Sequence, residues 1–269
     1  MIARVEDLSD PRLDDFRNVP DAELIERRGI FVAEGRLVVR RLLSGARMRT
    51  RSVMLPDSAR AALQDVLDAR PDVPVFVVPP ALMSAITGFN IHRGCLAIGE
   101  RPGECEWRTL GRSAGRLVIL ERVGNADNVG AVFRNAVAFG VDAVLLERSS
   151  TDPLYRKAIR TSMGAALALP FARIDSWPDA LQTLRDDGAV VIGLSPGEQA
   201  TALDRTLTSL ADRRVAFVAG HEGDGLTDEA MHACDRVARI PMASGVDSLN
   251  VATAIAIALY ELARAGRAT

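Results

Sequence analysis

The most regular pattern in the chain is an alternation of short apolar runs with longer amphipathic segments between residues 116 and 269. Runs such as Leu117–Leu120 and Val215–Ala219 are apolar at every position, which is typical of strands buried on both faces of a sheet. Between the runs, apolar residues recur at helical spacing, as in Asn128–Phe139, and Gly140 then provides a helix stop. The pattern predicts an α/β fold with a parallel sheet covered by helices on both faces. The other predicted strands are Val141–Leu146, Phe171–Ile174, Ala189–Leu194 and Val237–Ile240, and the other predicted helices are Asp152–Gly164, Ser176–Asp187, Thr227–Cys234 and Ser248–Arg264.

The first hundred residues also alternate between helical and strand patterns, but over shorter segments. Phe31–Leu43 has helical spacing with arginines on its other face, and Val73–Val78 reads as an apolar strand. Glu100–Gly115 lacks periodicity and contains Gly and Pro breakers, which favours a linker. We therefore predict a small α/β/α domain over residues 1–99, a linker over 100–115 and the parallel-sheet domain over 116–269.

Composition and charge narrow the classes of protein that the chain can represent. It has 269 residues, 48% hydrophobic positions and a formal net charge of −2, so no overall basic field indicates a nucleic-acid partner. Locally, the segment from Arg27 to Arg60 contains nine arginines and only two acidic residues, Glu34 and Asp57. This excess suits either an anionic partner or a solvated helix face.

The cysteines and the apolar runs bear on where the protein acts. Cys95, Cys105 and Cys234 show no paired spacing, and no signal peptide is evident, which favours a reduced, cytoplasmic protein. The longest apolar run, around Val251–Leu259, is too short to span a bilayer. We therefore expect no membrane association.

Polar and Gly-rich segments follow several of the predicted strands. Asn128 and Arg134 belong to the helix after Leu117–Leu120, Gly220–Gly223 follows Val215–Ala219, and Ser248 and Asn250 open the last helix. Open α/β sheets place ligands at the carboxyl ends of their strands. Each residue also has a purely structural interpretation: helix capping for Asn128 and Ser248, solvation for Arg134 and turn formation for the glycines.

Several kinds of site are disfavoured by the same sequence. No G-x-G-x-x-G follows Leu117–Leu120, which argues against a dinucleotide-dependent dehydrogenase and against a Rossmann-type methyltransferase, and there is no P-loop. His221, His232, Cys234 and Asp235 match no zinc spacing, so we expect no metal.

Taken together, the motifs resemble a known family. N-x-G-x-x-x-R at Asn128–Arg134, G-x-E-G at Gly220–Gly223 with I-P-M at Ile240–Met242, and S-L-N-V-A-x-A at Ser248–Ala254 resemble the three signature motifs of the SpoU (TrmH) family of RNA ribose 2′-O-methyltransferases, which belongs to the knotted SPOUT superfamily. Arg160–Pro170 is similar to a stretch found between the first two motifs. Phe31–Leu96 resembles, less closely, the ribosomal-protein-L30e-like substrate-binding domain that precedes the catalytic domain in some members.

The resemblance implies a catalytic domain with a deep trefoil knot, formed here by the 220–226 and 241–249 turns, and a homodimer whose interface helps to build the active site. It implies S-adenosyl-L-methionine as cofactor and RNA as substrate, with 23S rRNA preferred over tRNA. Matched by motif, the expected catalytic residues are Asn128, Arg134, Glu222, Ser248 and Asn250, and the expected cofactor-binding residues are Ala219, Gly220, Glu222, Gly223, Ile240, Met242, Ser248 and Leu249.

Methyl transfer to a ribose hydroxyl requires alignment of the reacting atoms and help in losing the hydroxyl proton. We assign that help to Arg134, which can stabilise alkoxide charge or bind a neighbouring phosphate, because arginine stays protonated and is a poor general base. Glu222, Ser248 and Asn250 would orient the loops and Arg134. The residues expected to hold the RNA backbone are Arg27, Arg28, Arg36, Arg40, Arg41, Arg47, Arg49 and Arg51.

Two further functions remain open at this point. A non-catalytic RNA-binding protein would have the same fold, and a base methyltransferase of the same superfamily would share the cofactor pocket. The intact motif residues Arg134 and Ser248–Asn250 favour an enzyme, and the N-x-G-x-x-x-R motif favours ribose chemistry.

Overall fold

The structure, a computed structural model, describes residues 1–17, 20–88, 94–103, 105–208, 210 and 212–265. The chain forms two compact units. The first consists of Met1–Gly103 and Pro153–Ala168, and the second consists of Glu104–Asp152 and Leu169–Thr269.

The first unit contains a mixed five-stranded sheet, in the order β1-β4-β3-β5-β2. The pairs β1–β4 and β3–β4 are parallel, and β5 is antiparallel to both β2 and β3. Its strands are β1 (Ile2–Arg4), β2 (Ile30–Glu34), β3 (Arg49–Leu55), β4 (Val75–Val77) and β5 (Leu96–Glu100), and its helices before residue 103 are a 3-10 helix (Pro11–Phe16), α1 (Asp21–Arg28), α2 (Arg36–Ser44), α3 (Asp57–Asp68) and α4 (Pro80–Thr87).

The predicted helix over Phe31–Leu43 is wrong in its first half. Ile30–Glu34 is a strand, and all five of its residues are buried. Gly35 has φ of 96°, a conformation that favours glycine, and it separates this strand from the helix that starts at Arg36. A continuous apolar run fits either a buried strand or a buried helix, so periodicity alone did not distinguish them.

The second unit begins where we predicted a linker. Trp107–Ser113 forms helix α5, and Trp107 is buried in the core of this unit. The helix is short and contains Gly111, which packs against the Leu184 side chain. Its periodicity is therefore weak in the sequence. The chain continues through β6 (Arg116–Leu120), α6 (Ala126–Ala138) and β7 (Ala143–Glu147).

The segment Pro153–Ala168 then returns to the first unit. It contains α7 (Arg156–Thr161), which is shorter than the predicted helix and packs on β2, and a 3-10 turn (Ala165–Leu167). The predicted domain over residues 116–269 includes this segment, whereas the structure groups it with the first unit. Three contacts hold it: the Arg156 amide donates to Asp21 Oδ2 at 3.0 Å, Arg41 Nη1 donates to the Met163 carbonyl at 2.6 Å, and Arg160 Nη1 lies 3.6 Å from Glu34 Oε2.

The rest of the chain completes the second sheet. Its seven strands run in the order β10-β12-β9-β11-β6-β7-β8, and every pair is parallel, as the apolar runs predicted. The last elements are β8 (Phe171–Ile174), α8 (Asp179–Asp186), β9 (Val190–Leu194), β10 (Thr201–Ala202), α9 (Leu203–Thr206), β11 (Val215–Ala219), α10 (Asp228–Ala233), β12 (Arg236–Arg239) and α11 (Val251–Ala265).

Candidate active site

The site is built where β6 and β11 end next to each other. Leu120 is in register with Ala219, and the Glu121 amide donates to the Ala219 carbonyl at 2.9 Å. The loop that leads to α6 and the glycine turn after β11 therefore leave the sheet at the same edge. This is the position at which parallel sheets present ligand-binding residues.

Asn128 joins the other two motifs through hydrogen bonds of its side-chain amide. Its Nδ2 donates to Glu222 Oε1 at 2.8 Å, and its Oδ1 accepts from Asn250 Nδ2 at 2.8 Å. Asn128 lies in the first turn of α6, whose N-cap is Asn125. The capping interpretation of Asn128 is therefore wrong, and its side chain is available to link the three loops.

The hydrogen bonds around Glu222 favour the charged form of its carboxyl group. Burial raises the pKa of its carboxyl group, but hydrogen bonds from the Asn128 side chain and from backbone amides outweigh burial, so the pKa of Glu222 is lowered from 4.5. One of those amides is Asn125 N, at 3.2 Å from Oε1. The loop thus holds a carboxylate at the end of β11.

Asn250, not Ser248, caps the last helix. Asn250 Oδ1 accepts from the amides of Ala252 at 2.9 Å and Thr253 at 3.3 Å, and α11 begins at Val251. The predicted start at Ser248 was three residues early. The same side chain uses its Nδ2 to reach Asn128, so one amide both caps the helix and joins the site.

A pocket of about 330 Å³ lies beside these residues, between the segments that follow β9, β11 and β12. This volume is at the lower end of the range for small-molecule sites. All eight residues predicted to bind the cofactor line it, namely Ala219, Gly220, Glu222, Gly223, Ile240, Met242, Ser248 and Leu249.

The turn after β11 is closed tightly on itself. A Cβ on Gly220 would lie 2.2 Å from the Gly225 carbonyl oxygen, so no other residue fits at position 220 without a shift of backbone. Gly225 has φ of 74°, in the left-handed region. The glycines of this motif therefore serve the turn geometry itself, and they leave backbone groups of the turn lining the pocket.

Arg134 is placed apart from this network. It lies on α6, is exposed, and makes no hydrogen bond or ion pair to any part of the chain that the structure describes. The predicted orientation of Arg134 by Glu222, Ser248 and Asn250 is not seen, because the side chains of Glu222 and Asn250 hydrogen-bond to Asn128 instead. Its guanidinium group remains available to bind an anion.

Two features of the site were missed by sequence reasoning. The segment Leu194–Gly197 after β9 lines the pocket, and it carried the same signal as the other loops, since it follows an apolar strand. Glu121 is 1% exposed and hydrogen-bonds to Trp177 and Thr227. Its partners lie 56 and 106 residues away, so local spacing gave no indication of them.

The eight arginines predicted to bind RNA differ in their exposure and in their ion pairs. Arg27 and Arg36 are exposed and form no ion pair with the described residues, whereas Arg47 is half-buried and Arg41 hydrogen-bonds to the Met163 carbonyl. The others have carboxylate partners: Arg28 with Asp15 and Glu23, Arg40 with Asp65, Arg49 with Glu100, and Arg51 with Asp15.

Within the described ranges, no group of three or more His, Cys, Asp or Glu side chains is arranged to hold a metal ion. No helix among the same residues has the length and apolar character needed to cross a membrane.

Comparison with known proteins adds independent evidence. Residues 115–260 match the model of the SpoU rRNA Methylase family. Proteins named as tRNA/rRNA methyltransferases in Mycobacterium bovis and Mycobacterium tuberculosis are 39% identical over 267 residues, covering 97% of this chain and 91% of each relative. The solved structure of an AdoMet-bound rRNA methyltransferase from Sinorhizobium meliloti is 26% identical with a TM-score of 0.81, over 98% of both chains.

Proposed function

Because the chain belongs to the SpoU rRNA methylase family, and is therefore an RNA methyltransferase, we propose that it methylates a ribose 2′-hydroxyl with S-adenosylmethionine as donor. We propose rRNA rather than tRNA as the substrate. The observation that carries the proposal is the link from Asn250 through Asn128 to Glu222 beside the pocket. It unites the three sequence motifs at one place.

The pocket suits S-adenosylmethionine, which supplies a methyl group on a positively charged sulfonium. Leu226, Met231 and Leu249 give the pocket apolar walls, and the glycine turn adds backbone donors and acceptors. Such a mixture fits a ligand with an aromatic base and a polar chain. The Glu222 carboxylate adds a negative charge to the lining, which favours a cationic ligand.

The residues of the site divide the remaining work. Asn128 and Asn250 hold the loops in register, and Arg134 stabilises the negative charge that develops on the 2′-oxygen as its proton leaves. Arg134 is suited to this because the described part of the chain provides no competing anion for it. The knot belongs to the same proposal: the 220–226 and 241–249 turns both contribute to the pocket wall.

We also propose a homodimer that acts in the cytoplasm. Val137 on α6 is 48% exposed and Tyr260 on α11 is 55% exposed, and the two helices pack together. Exposed apolar side chains on neighbouring helices favour association with a second copy. The first unit, with Arg27 and Arg36 exposed, would hold the RNA backbone.

The proposal is tested by incubating the protein with methyl-labelled S-adenosylmethionine and separate pools of rRNA and tRNA from a strain lacking the gene. We expect label in rRNA that survives alkaline hydrolysis as a methylated dinucleotide. Label in an alkali-sensitive product would indicate base methylation, and label in tRNA alone would overturn the choice of substrate. Cofactor binding without labelling of either pool would contradict the proposed acceptor.

A further inference from the structure

Glu121 is a buried carboxylate directly after β6, and no proposed step of methyl transfer uses it. It is 1% exposed and accepts three hydrogen bonds. Trp177 Nε1 donates to its Oε1 at 2.7 Å, the Thr227 hydroxyl donates to the same oxygen at 2.7 Å, and the Thr227 amide donates to Oε2 at 2.9 Å.

Two of the three donors to Glu121 are N–H groups, one from the Trp177 indole and one from the Thr227 backbone. An indole N–H and a backbone N–H can only donate. The Thr227 hydroxyl oxygen also accepts from the Ala230 amide at 3.2 Å as the N-cap of α10, and the hydroxyl donates to Glu121 Oε1. The Trp177 and Thr227 N–H groups therefore each require an acceptor, one at each side-chain oxygen, and the Glu121 carboxyl group provides both.

This cluster holds one wall of the pocket. Thr227 follows Leu226, which lines the pocket, and Thr227 caps the helix that carries Met231, another lining residue. Glu121 thus fixes the point at which the glycine turn becomes α10. We propose that Glu121 is a positioning residue for S-adenosylmethionine, acting through Thr227 on Leu226 and Met231. The inference rests on the proposed function, because it assumes that this pocket binds that cofactor.

Glu121→Gln is a sharp test because it preserves the shape of the side chain and replaces one acceptor oxygen with a donor NH₂ group. If the new amide nitrogen replaces Oε2, it faces the Thr227 N–H; if it replaces Oε1, it faces the Trp177 N–H. In either orientation the new NH₂ group therefore faces an N–H group that can only donate. If the turn is displaced in part of the molecules, the apparent dissociation constant equals the original value divided by the fraction of molecules that keeps the original turn.

The experiment measures S-adenosylmethionine binding by calorimetry and steady-state methylation of rRNA for the full chain and its variants. For Glu121→Gln we expect the Kd and the KM for the cofactor to rise about tenfold or more, with kcat at saturating cofactor within about twofold of the original value. The matched control is Asp175→Asn: Asp175 also accepts an indole N–H, from Trp107 at 2.8 Å, but its partners Trp107 and Ser176 neither line the pocket nor adjoin a lining residue in sequence.

A second substitution separates positioning from general loss of stability. Trp177→Phe removes one of the two opposing donors, so Trp177→Phe combined with Glu121→Gln should bind the cofactor more tightly than Glu121→Gln alone. Two independently damaging changes would instead weaken binding further. If Glu121→Gln does not fold, Thr227→Val takes its place, with an expected rise in Kd of about threefold or more.

The outcomes distinguish this inference from the proposed function. If the unmodified protein does not bind S-adenosylmethionine, the proposed function fails and this inference fails with it. If the unmodified protein binds and folded Glu121→Gln binds equally well, the proposed function stands and the role of Glu121 is overturned. The same conclusion follows if Asp175→Asn weakens binding as much as Glu121→Gln.

Discussion

Asn128 Nδ2 lies 2.8 Å from Glu222 Oε1, although the two residues are 94 positions apart in the chain. The bond joins the first turn of α6 to the glycine turn after β11. Its acceptor is a carboxylate, which makes it a charge-assisted hydrogen bond, stronger than a neutral one. The Asn125 amide donates to the same oxygen at 3.2 Å, so one side-chain and one backbone hydrogen bond hold the first and second motifs together.

Asn128→Ala should lower methyl transfer by about tenfold to a hundredfold, because it leaves Glu222 and Asn250 without their shared partner. Initial rates with labelled S-adenosylmethionine and rRNA measure the effect. Asn135→Ala is the control, since Asn135 lies on the same helix and donates to the Ala252 carbonyl outside the pocket. Equal rates for the two variants would remove Asn128 from the site.

Arg134→Ala should abolish turnover and leave the Kd for S-adenosylmethionine unchanged, because the exposed guanidinium group does not line the cofactor pocket. Calorimetry and single-turnover methylation measure the two quantities on one preparation. Arg264→Ala provides the control, as Arg264 is exposed and pairs with Glu261. Retained turnover in Arg134→Ala would contradict its proposed role in stabilising the charge on the 2′-oxygen.

Glu222→Gln should weaken binding of S-adenosylmethionine more than binding of S-adenosylhomocysteine. The first ligand carries a positive sulfonium and the second is neutral, so only the first loses an attraction to the carboxylate. The Gln side chain can still accept from Asn128, which keeps the turn in place. Competition binding with both ligands measures the ratio of affinities, and an unchanged ratio would contradict an electrostatic role for Glu222.

The same carboxylate should give the protein an acid-sensitive stability component. The folded-state pKa of Glu222 is lowered from 4.5, so its contribution is present above that ordinary value and is lost as the pH falls through the lowered one. The stability difference between the original protein and Glu222→Gln should therefore shrink below about pH 4.5. Urea unfolding across acidic pH measures it; a difference that grows with acid would have the wrong sign.

Gly220→Ala should destabilise the second unit by about 1–3 kcal/mol, because the added methyl group would lie 2.2 Å from the Gly225 carbonyl oxygen. Cofactor affinity should fall with it, since the turn lines the pocket. Gly223→Ala is the matched control: its Cβ would lie 3.5 Å from the His221 ring, an ordinary contact. Urea unfolding and calorimetry compare the two, and similar values would show that the turn tolerates the shift.

Arg27→Ala and Arg36→Ala should weaken RNA binding more than Arg40→Ala or Arg49→Ala, because the latter two arginines are paired with Asp65 and Glu100. Each lost phosphate contact should also reduce the salt dependence of log Kd by about one. RNA affinity at several salt concentrations measures both effects. Point variants are preferable to removal of residues 1–99, since the 153–168 segment packs against that region. Equal effects of all four would refute the distinction.

The sequence by itself determined the parallel sheet and the location of the pocket residues. Continuous apolar runs can be buried strands, and ligand-binding segments then follow from the ends of those strands. Ala219, Gly220, Ile240 and Leu249 line one pocket, and their binding of the cofactor, which the family resemblance implies, stays a prediction. These properties are local, because each depends on a few consecutive residues.

Only the tertiary structure decided which side chains are partners. Asn250 caps α11 and reaches Asn128, Glu121 gathers donors from Trp177 and Thr227, and the 153–168 segment packs on the first unit. The helix over Trp107–Ser113 likewise depends on the burial of Trp107 in the hydrophobic core of the second unit. A hydrogen bond between residues 56 or 122 positions apart leaves no periodic signal in the chain. Such pairs are specified by packing, which local propensity does not encode.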